Sequence, residues 1–434
     1  MTSRLRGWLE GLGDLFWLRP AFLVTLGVLL GELMARAERA GIAGDWASAG
    51  WIYAGGEAGA RALLGAVATS TIGVAGTVFS ITVAALSLAS GQMGPRLLRH
   101  FIRDPGNQWV LGIFLGTFAY ALMLLRTVRS VQEQAFVPHL GITGALVLAL
   151  LCVGALVWFV HHVANSINID TVIGLVHAEL MDAVTSLEQG EEADRPGVAA
   201  TEAGVPAVPL RYPRAGFLRT LDEDALADWA ASCGAVLRLH VRTGDYLFPG
   251  AAVGEVLLPQ GRAPAEASRS AEEAFEAAAL TGDRQAAVQD LEFAVRQMVE
   301  VAVRALSPGI NDPFTAMVVL DRLGATLCEV AMRRMPAPVL CRGDQSVLLR
   351  HVTDYDGLCD AMFHMIRQNS GGSSAVLIRM VDTLRRVHEV ERNPRRRTTL
   401  RRHAGLVLAL GRMEVKDAAG LADLEARGAR MAAA

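Results

Sequence analysis

The feature that most constrains the fold is an uncharged stretch, Ala62 to Pro95, held between Arg61 and Arg96. About 20 apolar residues suffice to cross the hydrocarbon core of a bilayer, so this run reads as a membrane-spanning helix. A second pattern lies inside it. Ala66, Ser70, Gly73, Thr77, Ser80, Ala84, Ser87 and Gly91 are small and alternate at spacings of four and three. On a helix they draw one narrow seam of small and hydroxyl side chains, while the other faces carry Val, Ile, Leu and Phe. Such a seam either packs closely against a neighbouring helix or faces a polar cavity.

The rest of the composition fits a chain that is half membrane and half water-soluble. Its 434 residues are 52% hydrophobic yet 20% charged, too apolar for an ordinary globular protein and too charged for an all-membrane one. A net charge of −3 implies no global attraction to nucleic acid. The five cysteines are scattered and form no C-x-x-C, which reads as reduced and places the soluble part in the cytoplasm.

Three further spans are expected. The first runs from Pro20 to Ala35, with Phe16 and Trp17 as interface anchors and Glu32 near its far end. That carboxylate either snorkels to the headgroups or sits inside the membrane as an ion or proton site. A signal peptide cut after Ala35-Arg36-Ala37 is disfavoured by acidic Glu10 and Asp14. The seam helix, Ala62 to Ser90, ends at Gly94-Pro95. Beyond it Arg96, Arg99, His100 and Arg103 share one helical face, suiting either anionic headgroups or an arginine collar at a pore mouth. Asp104 to Asn107 is read as a turn, and a third span covers Trp109 to Leu125 with a G-x-x-x-G at Gly112 and Gly116. Those glycines offer the seam a packing partner. A fourth span, Leu140 to Val160, ends near His161 and His162, which point to different sides and read as interfacial rather than as ligands. Four spans put both termini on one side, but flanking arginines number six against five and hardly orient the bundle.

After the membrane, apolar periodicity continues through Ile167, Val172, Val176 and Leu180 into a second amphipathic helix ending near Glu188. A linker rich in Ala, Gly and Pro follows. Gly216 to Asp222 then reads as a strand, Glu223 to Ser232 as a helix capped by Asp222 or Asp224, and Ala235 to Val241 as an alternating strand. The segment VRTGDYLFPGAAVGEV resembles half of a biotinyl or lipoyl-type barrel-sandwich motif without the modified lysine. The remainder is expected to be helical. Within it, Leu306 to Pro313 forms a dense corner, with Asp312 as N-cap and Pro313 in the first turn. This is either a tight helix-turn-helix corner or a dock for an anion or partner using Arg304, Ser307, Asn311 and Asp312. Asp356, Asp360 and His364 lie on one helical face, but from i to i+8 is about 12 Å, so no metal site is expected from them. The basic run Arg392 to Arg402 could meet a membrane surface, an acidic subunit or nucleic acid, the last ranked lowest for want of interleaved aromatics. No Walker loop, H-E-x-x-H, G-x-S-x-G or cysteine metal motif occurs, so no catalytic residue, cofactor or metal is expected.

Three segments together, Thr77 to Asp104, Phe136 to Leu151, and Ala305 to Ala316 with Asp321 to Gly324 after it, resemble the bacterial predicted-membrane-protein family catalogued as domain of unknown function 2254. The resemblance spans nearly the whole chain. It implies an integral inner-membrane protein with four N-terminal helices and a C-terminal soluble part, and it brings no catalytic residues. The family pattern would place Asn or Asp where His364 stands.

The expected architecture is therefore mainly α: a four-span membrane domain with a helical extension (1–188), a linker (189–212), a small β-rich module (213–262) and a helical soluble domain (263–434). Two functional hypotheses follow. In one, an oligomeric channel or transport-like protein is lined by Ser70, Gly73, Thr77, Ser80, Ala84 and Ser87, with Arg96, Arg99 and Arg103 at its mouth. In the other, a membrane scaffold or sensor uses the seam for packing and the 304–312 corner for a partner. The expected partners are the bilayer, anionic headgroups and further copies of the chain, without nucleic acid.

Overall fold

The computed structural model describes residues 17–40, 52–93, 104–128, 136–166, 168–190, 207–258, 264–283, 291–343 and 345–433, with backbone alone over 88–93 and 264–265. They form two compact units, Met1–Val172 and Ile173–Ala434.

The first unit contains α1 (Leu18–Arg39), α2 (Glu57–Met93), α3 (Pro105–Thr127) and α4 (His139–Ser166). Among the described residues these four helices are long and apolar enough to cross a membrane. At 37 residues, α2 is about 55 Å long, well beyond the ~30 Å hydrocarbon core. Asp104 does not turn the chain back as expected. Its carboxylate accepts from the Gly106 amide at 2.9 Å and caps α3, whose first residue is Pro105. The closest packing in the bundle joins α1 to α3. Cβ atoms at Gly112 and Gly116 would meet Pro20 and Leu23, and one at Gly27 would run into the Gly116 carbonyl. The G-x-x-x-G therefore serves α1 and not the seam helix.

The helix α5 (Ile169–Thr185) buries Val172, Ile173, Val176, Leu180 and Val184 along one stripe. The second unit continues with β1 (Ala207–Arg211), β2 (Gly216–Leu221), α6 (Glu223–Cys233), β3 (Val236–Leu239), β4 (Tyr246–Leu247), β5 (Ala252–Leu257), α7 (Pro264–Ala278) and β6 (Ala279–Gly282). Helices α8 (Leu291–Ala305) and α9 (Pro313–Val330) lead to a hairpin of β7 (Val339–Arg342) and β8 (Gln345–Leu349). The chain closes with α10 (Tyr355–Asn369), α11 (Ser374–Val390), α12 (Pro394–Glu414) and α13 (Ala418–Ala433).

Two sheets organise the β region. One has the order β1-β5-β3-β8-β7 and the other β4-β2-β6. All pairings are antiparallel except β3 with β8, where Leu237 faces Leu348. Leu237, Leu239, Val256, Val347 and Leu348 share a core with Leu226, Ala230 and Phe275 of α6 and α7. Asp222 caps α6, accepting from the Ala225 amide at 3.0 Å. Three strands thus lie after residue 262, where the sequence pattern predicts helix alone. Short β7 and β8 carry little alternation, and β8 joins the sheet through a parallel pairing with a distant strand.

Candidate functional site

The seam helix α2 carries two parallel stripes. Leu64, Ala68, Ala75, Val78 and Ala85 are buried in the cores shared with α3 and α4, and Thr71 is buried on the same stripe. The seam residues Ser70, Gly73, Thr77, Ser80, Ala84 and Ser87 stand two positions further on, and every one of them is exposed. Two residues are about 200° of helical rotation, so the seam lies opposite the buried stripe. A Cβ added at Gly73 or Gly76 would meet nothing within 4 Å. The seam hydroxyls fold back on their own helix. Ser70 donates to the Val67 carbonyl at 3.1 Å, Thr77 to Gly73 at 3.2 Å and Ser80 to Gly76 at 2.9 Å. Back-bonding of this kind satisfies a hydroxyl where no water is present.

The outer faces of α1 and α4 differ in kind. Phe22, Leu29 and Leu33 on α1, and Leu146, Val147, Leu150, Leu151, Val153, Val157 and Val160 on α4, are all exposed. So large an exposed aliphatic surface exceeds what a water-soluble chain carries and suits acyl chains. Residues 14–386 match the family described as predicted membrane protein, domain of unknown function 2254. The chain belongs to this family. It is 32% identical over 423 residues to uncharacterized proteins of Mycobacterium tuberculosis and Mycobacterium bovis, covering 96% of this chain and 80% of theirs. No solved structure matches. Like the family to which it belongs, the chain is a membrane protein.

The other sequence candidates divide. Arg96, Arg99 and Arg103 lie outside the described residues. Glu32 does not end its helix, since α1 runs on to Arg39, and its carboxylate pairs with Arg36 at 2.8 Å and Arg126 at 3.1 Å. His162 bonds Asp104 at 2.5 Å and stacks on Trp158, while His161 meets Asn165 at 2.9 Å, so the two histidines serve different neighbours.

The corner at 304–312 is built by its own backbone. The Asp312 amide donates to the Ala305 carbonyl at 2.8 Å and the Asn311 amide to Ser307 at 2.9 Å. Ser307 Oγ donates to the Arg304 carbonyl at 2.7 Å. Asn311, at φ 49°, is the one non-glycine residue with positive φ among those described. Asp312 accepts from the amides of Phe314 and Thr315, both at 3.1 Å, and from the Thr315 hydroxyl at 2.6 Å. The first amides of α9 are thus already engaged by the protein's own carboxylate. Ile310 and Phe314 stand exposed beside them, Phe314 at 74%.

Two constellations escape the sequence reading. Arg242, after β3, forms a two-pronged pair with Glu292 of α8, both contacts at 2.7 Å. Thr353 and Arg296 also bond that carboxylate, at 3.0 and 2.8 Å. Burial acts to raise the Glu292 carboxyl, but the Arg242 fork prevails and holds it below the usual range. The second gathers Asp360 and His364 of α10 with His403 of α12, their donor atoms all within 4.8 Å of one another. Asp356, which shares the acidic face in sequence, goes instead to the hydroxyl of Thr399. The basic run divides: Arg396 is buried and donates to the carbonyls of Val330 and Arg333, Arg397 bonds His388 and Arg402 bonds Asp360, while Arg392, Arg395 and Arg401 are exposed.

Proposed function

We propose that the protein assembles in the membrane as a homo-oligomer in which the α2 seams of neighbouring copies face one another and line a transport path. One observation carries this reading: the seam is small, hydroxyl-bearing and wholly on the outside of its own bundle. A lipid-facing helix is better covered by side chains as bulky as those on α4. Small residues leave shallow grooves that acyl chains fill poorly and that a second helix backbone fills well. Rotatable hydroxyls offer weak dipoles suited to passage rather than tight binding, and the arginines at 96, 99 and 103 would favour anions at the mouth. The reading places the protein in the bacterial inner membrane with both termini and the second unit in the cytoplasm, and anionic headgroups as lipid partners.

Purified protein is expected to run in detergent as a closed assembly of three or more subunits and to pass ions in proteoliposomes. Thr77→Trp should abolish that flux while leaving helical content unchanged, because Thr77 is exposed on the outer face of α2. A monomer in detergent, or flux indifferent to T77W, overturns the proposal.

A second reading keeps the oligomer and removes the path. The back-bonded hydroxyls suit tight helix packing, and the exposed Ile310 and Phe314 at the 304–312 corner suit a docking partner. Under it, no flux is measured, Ser80→Leu breaks the assembly, and Asn311 substitutions release the partner.

A further inference from the structure

The second unit holds a cluster that neither the transport path nor the corner uses. Asp360 and His364 sit at i and i+4 on α10, so one helical face presents both. Helix α12 brings His403 across to them. His364 Nε2 lies 3.0 Å and His403 Nε2 3.1 Å from the same oxygen, Asp360 Oδ1. The geometry points to a divalent transition-metal site formed by Asp360, His364 and His403, with Arg402 occupying the carboxylate until the ion arrives.

The separations favour an ion. A four-coordinate ion with bonds of about 2.0–2.1 Å holds its donors about 3.3 Å apart. The two edges to Asp360 Oδ1 need only a few tenths of an ångström of adjustment, and the donor atoms of the two rings lie within 4.8 Å of each other, within the reach of side-chain torsions. Two imidazoles and one carboxylate select Zn2+ and its first-row neighbours over Mg2+ or Ca2+, which prefer oxygen alone.

Hydrogen bonding explains the same atoms less well. Arg402 also reaches Asp360 Oδ1, at 2.6 Å, so three nitrogens converge on one oxygen with two lone pairs. An ion would take the place of the Arg402 guanidinium, which lies 2.6 Å from Asp360 Oδ1 and 3.4 Å from His403 Nε2, and would use the lone pairs of both rings.

Burial is graded across the cluster. The His403 side chain is 1% exposed and fixes the site in the helix pair, with Phe363 against its ring. Asp360 and His364 are about one-third open to solvent, leaving room for a fourth, exchangeable ligand such as water. Arg402, 45% exposed on a long flexible stem, has solvent into which to withdraw.

The test uses untagged full-length protein in detergent, stripped with a chelator and dialysed against Zn2+ or Co2+. About one equivalent should be retained, with the visible absorption of four- or five-coordinate Co2+. His364→Asn should weaken binding by more than about 100-fold, beyond the loss that outer-shell partners give, with unchanged circular dichroism. Asp360→Asn should act likewise. Arg402→Ala is the discriminating variant. It should tighten binding several-fold, because it removes the competitor for Asp360 Oδ1, whereas a purely hydrogen-bonded cluster would gain no metal from its loss. Failure of wild-type protein to retain metal, or retention that survives both H364N and D360N, overturns the proposal.

Discussion

At the scale of single residues, the Arg242–Glu292 pair is a two-pronged ion pair with both contacts at 2.7 Å. The Glu292 side chain is 7% exposed and Arg242 19%, so both charges sit largely out of water. The pair ties the loop after β3 to the first turn of α8 and, through Thr353, to the approach to α10. Arg242→Met should therefore cost about 1.5–3 kcal/mol, because the buried carboxylate loses its two-pronged partner and keeps only Arg296 and Thr353. Denaturant unfolding of the full chain, followed at Trp229, measures this. Pairing the substitution with Glu292→Gln should cost less than the sum of the two single changes. Neither residue stands out in the sequence, since each belongs to an ordinary polar stretch and 50 positions separate them.

Helices are where sequence and structure agree best and then part. All four spans appear near their expected positions, lengthened at their ends: α1 by Leu18, Arg19 and the turn to Arg39, α4 by His139 and the turn to Ser166. Their partners could not be read the same way. Gly112 and Gly116 look equally able to receive any helix, yet the backbone of α1 fills them. Gly116→Val should drive a side chain into the Leu23 carbonyl region and disrupt the α1–α3 contact, lowering the melting temperature of the protein in detergent. Gly73→Val is the matched control, for a Cβ there meets nothing within 4 Å. It should leave the melt of the single chain unchanged and alter the mass of the assembly measured by light scattering. Equal melts for the two variants would contradict the assignment of both glycine faces.

On the scale of the whole molecule, the protein joins a membrane unit with thick aliphatic outer faces to a second unit built on a mixed sheet and a helical array. All five cysteines are free, and Cys341 is exposed on β7. Placing the second unit in the cytoplasm makes a simple prediction for intact cells. A membrane-impermeant maleimide should leave Cys341 unlabelled until the membrane is permeabilised, and Cys341→Ser should remove most of the signal then gained. Labelling of intact spheroplasts would place that unit on the opposite side.

Much of the architecture was legible in the chain itself. Spans are legible because the hydrocarbon core tolerates only an unbroken apolar run whose backbone satisfies itself. Caps are legible because Asp222 and Asp312 act on amides two or three residues away. Tertiary structure alone decided the rest. Helix α2 carries two stripes of the same period, both rich in small residues, and local sequence cannot say which one turns inward. Packing against α3 and α4 buried Leu64, Ala68, Thr71 and Ala75 and left Ser70, Gly73 and Thr77 outside. The same holds for Asp360 and His364, which make an incomplete set on one helix until α12 delivers His403. Periodicity is a property of neighbours along the chain, whereas the choice of partner is a free energy of surfaces brought together across it.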